Sequence, residues 1–241
     1  MASDNASFQH DPIGRITYDR IGTQYSAAVD TKPHNAYYER PATLSLLPAV
    51  EGLHVLDAGS GNGWYAEYLV SHGALVTACD VSPVMVQHTQ ARVREHASVY
   101  VADLAQPLDF AHDQTFDLVL APLVLHYLEH WEPTLTEFHR ILRLHGTLVF
   151  STHHPTADYQ HHPASTYFAT QLVEEEWAGL GRVQFYRRPM SAIVNALTQS
   201  GFCIERMLEP QPTPEYQQVH PSGYEELMSF PHFVVIRARS L

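Results

Sequence analysis

Val55-Leu56-Asp57-Ala58-Gly59-Ser60-Gly61-Asn62-Gly63-Trp64-Tyr65 decides how this 241-residue chain is read. An apolar run ends in a carboxylate, opens into alternate glycines and passes at once into an amphipathic segment over residues 64–72. That order predicts a buried strand, a tight turn and a helix N-terminus. Glycine lets the backbone take positive φ and lets a ligand approach without meeting a Cβ. The free N–H groups and positive dipole end of the helix favour an anionic group there. The spacing discriminates between ligands. A dinucleotide fingerprint, Gly-x-Gly-x-x-Gly, would put glycine at position 64. Position 64 is tryptophan, and the third glycine stands one residue early. A nicotinamide-dependent oxidoreductase is therefore disfavoured.

Outward from the turn, apolar β-rich runs alternate with helical ones, the pattern of a parallel sheet covered on both faces. Strands are expected at 53–57, 75–80, 98–102, 116–121 and 147–152, with later ones at 202–208 and 233–238. Helices are expected at 64–72, from Pro83 to about residue 96, at 133–144 and at 190–200. Ser82-Pro83 reads as cap and first-turn proline. His145-Gly146 reads as the stop of the 133–144 helix, and Gly201 as a C-cap. Residues 8–50 read as irregular helix punctuated by prolines, within a lid segment over 1–50 ahead of a main domain over 51–241. Residues 153–189 break the rhythm, being rich in His, Tyr and Trp with poor periodicity, and 209–231 reads as a proline-rich loop.

Composition narrows the function classes. Apolar content of 45% and charged content of 17% suit a globular chain with a sizeable core. No run approaches the ~18 apolar residues of a membrane span, and residues 1–15 have neither a basic nor an apolar signal region, so a cytoplasmic protein is expected. The net charge of −12 repels phosphate backbones and argues against nucleic-acid substrates. Lys32 is the single lysine, which disfavours Schiff-base chemistry. The two cysteines, Cys79 and Cys203, sit in apolar strand-like runs and read as buried free thiols.

The order of motifs resembles the class I S-adenosylmethionine (SAM) methyltransferases of the bacterial small-molecule type, from about residue 15 onward. Motif I is Val55–Tyr65. The acidic end of the second strand is Asp80, within Ala78-Cys79-Asp80-Val81-Ser82. Ala102-Asp103-Leu104 matches the third-strand motif, and the run from Phe116 to Tyr127 the fourth. Glu137-Phe138-His139-Arg140-Ile141-Leu142 is similar to the helix that follows. One departure is Leu144-His145-Gly146, where relatives often have Pro-Gly-Gly. The resemblance implies a Rossmann-like, doubly wound sheet of about seven strands, mostly parallel with an antiparallel C-terminal strand. It implies SAM as cofactor and a small-molecule acceptor methylated at O, N or C.

It also implies roles for single residues. Gly59, Gly61 and Gly63 would cradle the methionine carboxylate. Asp80 would take both ribose hydroxyls, with a plain helix-capping role as the alternative. Val81, Met85 and Leu104 would sandwich the adenine, unless they are ordinary core, and Ala121 joins the cofactor set. Asp103 would receive the adenine amino group, or else serve a surface turn. Asp57 would brace the glycine turn and reach the ammonium directly or through water. Tyr25 is the lid tyrosine chosen, with Tyr18, Tyr37 and Tyr38 competing.

Methyl transfer is an in-line displacement, so holding the reacting atoms collinear supplies much of the catalysis. A base is needed where the acceptor carries a proton of high pKa, and histidine titrates near neutrality. His126 follows the fourth strand; His153 and His154 follow the fifth, and strand alternation lets only one of that pair face a pocket. All three are candidate catalytic residues. His153-His154 and His161-His162 lack the spacing of a metal motif, so no metal is expected. Residues 155–189 read as a substrate cover with Tyr159, Tyr167, Phe168 and Trp177, or as an outer insertion. A methyltransferase-fold protein that binds SAM for a cyclisation or a regulatory task is the alternative reading.

Overall fold

The computed structural model describes residues 11–163, 166–177 and 180–241. Residues 8–10 of the expected N-terminal helical stretch, with 164–165 and 178–179 of the expected cover, lie outside the described residues. Nine strands are assigned: β1 (His54–Ala58), β2 (Leu75–Asp80), β3 (Ala97–Val101), β4 (Phe116–Pro122), β5 (Leu142–His153), β6 (Gln171–Trp177), β7 (Gly181–Arg187), β8 (Phe202–Leu208) and β9 (Phe233–Ser240). Seven make one sheet in the order β3-β2-β1-β4-β5-β9-β8. β9 runs antiparallel to both of its neighbours, and the other pairings in that sheet are parallel. This is the Rossmann-like sheet expected above.

Strand alternation sorts the core into two layers. Leu56, Ala58, Val119, Ala121, Leu148 and Phe150 point to one face and pack with Leu135, Phe138, Ile193 and Leu197. Those four come from α5 (Glu132–Ile141) and α7 (Met190–Gln199). Val55, Val76, Ala78, Leu118, Leu120 and Val149 point to the other face. They meet Ala66 and Leu69 of α3 (Trp64–Ser71) and Val93 of α4 (Pro83–Val93). Parallel strands buried on both faces explain why the sequence shows apolar runs there rather than alternation.

Over the carboxyl ends lie α1 (Ile13–Ala28), a π-helical turn (Asn35–Glu39) and α2 (Arg40–Ser45). Gly22 lets α1 approach α4 closely, since a Cβ there would stand 2.9 Å from Val84. The β6–β7 hairpin and α6 (Pro155–His161) close the same end, with β7 packed on α1.

Four expectations need correction. Residues 142–146 belong to β5, because Leu142 turns extended and pairs with Phe116 of β4; α5 stops at Ile141, short of His145-Gly146. Residues 209–231 contain two helices, α8 (Pro214–Val219) and α9 (Pro221–Ser229), each opened by one of the prolines that suggested a loop. Residues 153–189 hold α6 and an antiparallel hairpin of their own. Cys203 is exposed, since β8 is an edge strand; Cys79 is buried, and both thiols are free.

Candidate active site

One cleft of about 700 Å³ opens where β1, β2, β4 and β5 end, within the size range of small-ligand pockets. The glycine loop forms one wall. Gly59, Gly61 and Gly63 all take positive φ, at 77°, 55° and 83°. At Gly61 a Cβ would meet nothing within 4 Å, so the missing side chain leaves open space. Asp80 ties this loop to the next helix. Its Oδ2 accepts from Gly61 N and its Oδ1 from Ser82 N, both at 2.9 Å. The helix cap weighed against ribose binding falls to Ser82, whose hydroxyl accepts from Met85 N. Asp80 braces the glycine loop, and each of its oxygens keeps a lone pair for another donor. Burial raises its pKa to about 6.

The cleft gathers Tyr25, Gly59, Gly61, Asp80, Val81, Met85, Asp103 and Leu104 of the expected cofactor residues. Asp103 also accepts from Ala105 N at 2.9 Å, which is the turn role weighed above. Asp57, Gly63 and Ala121 do not line it. Alternation along β1 turns Asp57 with Val55 toward α3, and Ala121 lies in the core layer on the opposite face. Gly63 faces α4, where a Cβ would lie 2.8 Å from the Thr89 backbone. Asp57 is fully buried and neither of its oxygens has a hydrogen-bond partner, although the Ala66 backbone gives some electrostatic relief. Burial, then the charge of Asp80, pushes its pKa up to about 7.

Sequence reading passed over Arg40. Its side chain is buried, lies over Trp64 with Cζ 4.3 Å from the ring, and donates to Val29 O and Asp30 O. It therefore puts positive charge at the glycine-loop end of the cleft. Glu39 beside it is buried and accepts from Thr43, Ser151 and Tyr65 at 2.6, 2.6 and 2.8 Å, locking the π-turn to β5 and α3. A Pro-flanked Tyr-Tyr-Glu-Arg run in a segment with few cations was the available signal for both.

At the other end of the cleft, His126 and His153 stack with ring centroids 4.2 Å apart. His153 Nδ1 lies 3.3 Å from Asp158 Oδ1 of α6, and the Phe185 edge packs 4.4 Å from the His153 ring. His126 is buried and its Nδ1 has no hydrogen-bond partner. Burial first, then His153 and Arg188, hold its pKa well below the ordinary histidine value. His154 is not in the cleft. It begins α6, where its ring accepts from Thr156 N at 3.2 Å, and its Nε2 meets Glu209 at 2.9 Å. Tyr18 and Tyr127 share a hydrogen bond of 3.0 Å beneath α1. Trp177 of the hairpin stacks on Tyr25 at 6.5 Å and lies under the Lys32 ammonium at 4.7 Å. Of the residues expected in a cover, Tyr159, Tyr167 and Phe168 do not line the cleft.

A family described as a methyltransferase domain matches residues 56–150, the stretch that holds the glycine loop, Asp80, Asp103 and His126. That stretch is a methyltransferase domain of the SAM-dependent kind. A SAM-dependent methyltransferase of Mesorhizobium loti superposes with a TM-score of 0.76 at 29% identity, over 88% of this chain and 100% of that one. A Listeria monocytogenes structure of the same description gives 0.74 at 25% identity, over 84% and 96%. The malonyl-[acyl-carrier protein] O-methyltransferase of Salmonella typhimurium is 34% identical over 136 residues, 56% of this chain and 51% of its own length. The chain thus spans about half of that relative.

SAM is the cofactor of this methyltransferase, and the residues present fit it. The open space at Gly61 and the Arg40 guanidinium suit its carboxylate. The unpartnered Asp57 carboxylate lies behind the loop, and the Asp80 lone pairs suit vicinal hydroxyls. Among the described residues, no helix is long and apolar enough to cross a membrane.

Proposed function

We propose that the chain methylates a small, ring-bearing acceptor at an oxygen or nitrogen that carries a proton, with His153 as general base. The His126–His153–Asp158 array under the hairpin is the observation that carries this reading. Bound SAM supplies an electrophilic methyl group. The glycine loop, Asp80 and Arg40 fix the donor. The rings of Tyr127, Phe185 and Trp177 offer apolar faces to the acceptor and exclude water.

His153 takes the acceptor proton on Nε2. The Asp158 carboxylate beside Nδ1 favours the tautomer with its proton on that nitrogen, which leaves the Nε2 lone pair free. His126 is kept neutral and offers a hydrogen bond from its unpartnered Nδ1 rather than competing for the proton. The oxygen-directed name of the Salmonella relative supports an oxygen acceptor.

The test is mass spectrometry of SAM incubations with a panel of hydroxylated and amino-bearing ring metabolites. A product heavier by one CH2, a methyl group in place of a proton, formed with S-adenosylhomocysteine, is expected. With that acceptor, His153→Ala should lower kcat by roughly 10²- to 10⁴-fold, the usual range for a general base. Its affinity for S-adenosylhomocysteine should stay unchanged. Loss of that affinity would overturn the base assignment. SAM binding without any methylated product would point to a non-methylating task.

A further inference from the structure

We propose that His161, Glu226 and His232 form a site for a divalent first-row transition metal at the rim of the cleft. His161 ends α6, Glu226 lies in α9 and His232 immediately precedes β9. One ligand atom from each lies within 4.8 Å of the others. His232 Nε2 is buried and has no hydrogen-bond partner, although Glu226 Oε1 stands 3.1 Å away. The His161 ring meets His232 edge-on at 5.4 Å. A buried nitrogen that lies this close to a carboxylate and a second imidazole, yet is not aligned for a hydrogen bond, is placed as a ligand would be.

The support behind the three differs in stiffness. His232 is held at both sides of its backbone. Its N–H donates to Tyr38 Oη at 2.9 Å, and its carbonyl accepts from His154 N at 2.8 Å. Its ring also stacks on His34 at 6.2 Å. His161 and Glu226 are exposed and free to adjust. Ligands at ~2.0–2.2 Å around a tetrahedral ion stand about 3.4 Å apart. Small rotations of the two surface side chains close that gap.

Two imidazoles and one carboxylate suit zinc, cobalt or nickel, and are a poor set for magnesium or calcium, which prefer all-oxygen shells. Three protein ligands leave a fourth position open. His161 and His232 both line the cleft, so that position faces it. If the covered lobe takes the acceptor, as proposed above, an oxygen or nitrogen of the acceptor is what would fill it. The first and last of the three lie 71 residues apart (232 − 161) in the sequence, which is why no spacing motif announces them.

Cobalt is the probe. The full chain, without a histidine tag, is titrated with Co²⁺ by calorimetry and visible absorption, then challenged with Zn²⁺. One tight equivalent, displaced by Zn²⁺, is expected in the presence or absence of S-adenosylhomocysteine. His161→Ala and Glu226→Gln should each weaken it by at least the ~10–100-fold that follows loss of even an outer-shell partner. Both should bind S-adenosylhomocysteine as the parent does, which also reports that they fold. His96→Ala, an exposed histidine elsewhere, should change nothing. Absence of a tight equivalent, or its persistence in the two variants, overturns the site. Failure of the parent chain to bind S-adenosylhomocysteine would instead fall on the cofactor reading.

Discussion

Asp80 is the residue on which cofactor affinity should turn. It stands at a strand's carboxyl end, is buried, and is already oriented by two backbone donors. Asp80→Ala removes those braces and any hydrogen bonds to a bound ribose. At about 1 kcal/mol per bond, or somewhat more when charge-assisted, calorimetry should show S-adenosylhomocysteine binding weakened by roughly tenfold or more. Unchanged affinity would show that the carboxylate serves only the turn. Glycines and acidic strand ends were legible in the sequence because their chemistry is local. Arg40 and Asp158 were not, since each reaches the cleft through packing between elements distant in the chain. His153 and His154 looked equivalent because alternation says that one of them faces inward but not which. The cap that opens α6 decides it.

The strand–loop–helix element makes a sharper test than any single side chain. Gly61 and Gly63 both sit at positive φ, but their surroundings differ. At Gly63 a Cβ would press on the Thr89 backbone at 2.8 Å. Gly63→Ala should therefore lower stability by roughly 1–3 kcal/mol in urea titrations, from strain and overpacking together. At Gly61 the new methyl would enter open space. Gly61→Ala should unfold within about 1–2 kcal/mol of the parent, the left-handed backbone penalty, yet bind S-adenosylhomocysteine at least ~10-fold more weakly. Equal effects at both positions would contradict the loop geometry. β1, β2, β4 and β5 were readable as apolar runs because they are inner strands with buried faces, whereas β3 is an exposed edge strand. The hairpin at 171–187 was not readable. Its buried apolar residues are few, Val173, Val183 and Phe185, and the Glu174-Glu175-Glu176 run carries charge on both faces. That leaves too few apolar positions for a period to emerge. Residues 209–231 misled because proline opens a helix as readily as it ends one.

Taken whole, the molecule buries acids and histidines that pull its pH dependence in opposite directions. Asp57 and Asp80 have folded pKa values of about 7 and 6, above the ordinary carboxylate value near 3.9. The native state therefore holds their protons more tightly than the unfolded chain. The stability they contribute is complete below about pH 4 and lost as pH rises through 6 and 7. His34, lowered to about 4 by burial, and His126, held well below the ordinary histidine value by burial, act the other way. Their contribution is complete above about pH 6.5 and lost as pH falls. Between about pH 5 and 7 the two sets largely offset each other. Between pH 6 and 8, titration of Asp57 alone should cost about 1.4 kcal/mol. Relative to the parent, Asp57→Asn should gain about that much stability in thermal unfolding as pH rises from 6 to 8; a difference that does not change with pH would assign the effect elsewhere.

The antiparallel insertion of β9 has a consequence for how this enzyme is made. Its partners β5 and β8 are synthesised first, yet they do not touch each other until residues 233–240 slide between them. During translation both must wait as open edges, rich in unpaired N–H and C=O groups. Ribosome-bound chains stalled before residue 233 should be protease-sensitive and prone to associate, whereas release of the last strand completes the sheet in one step.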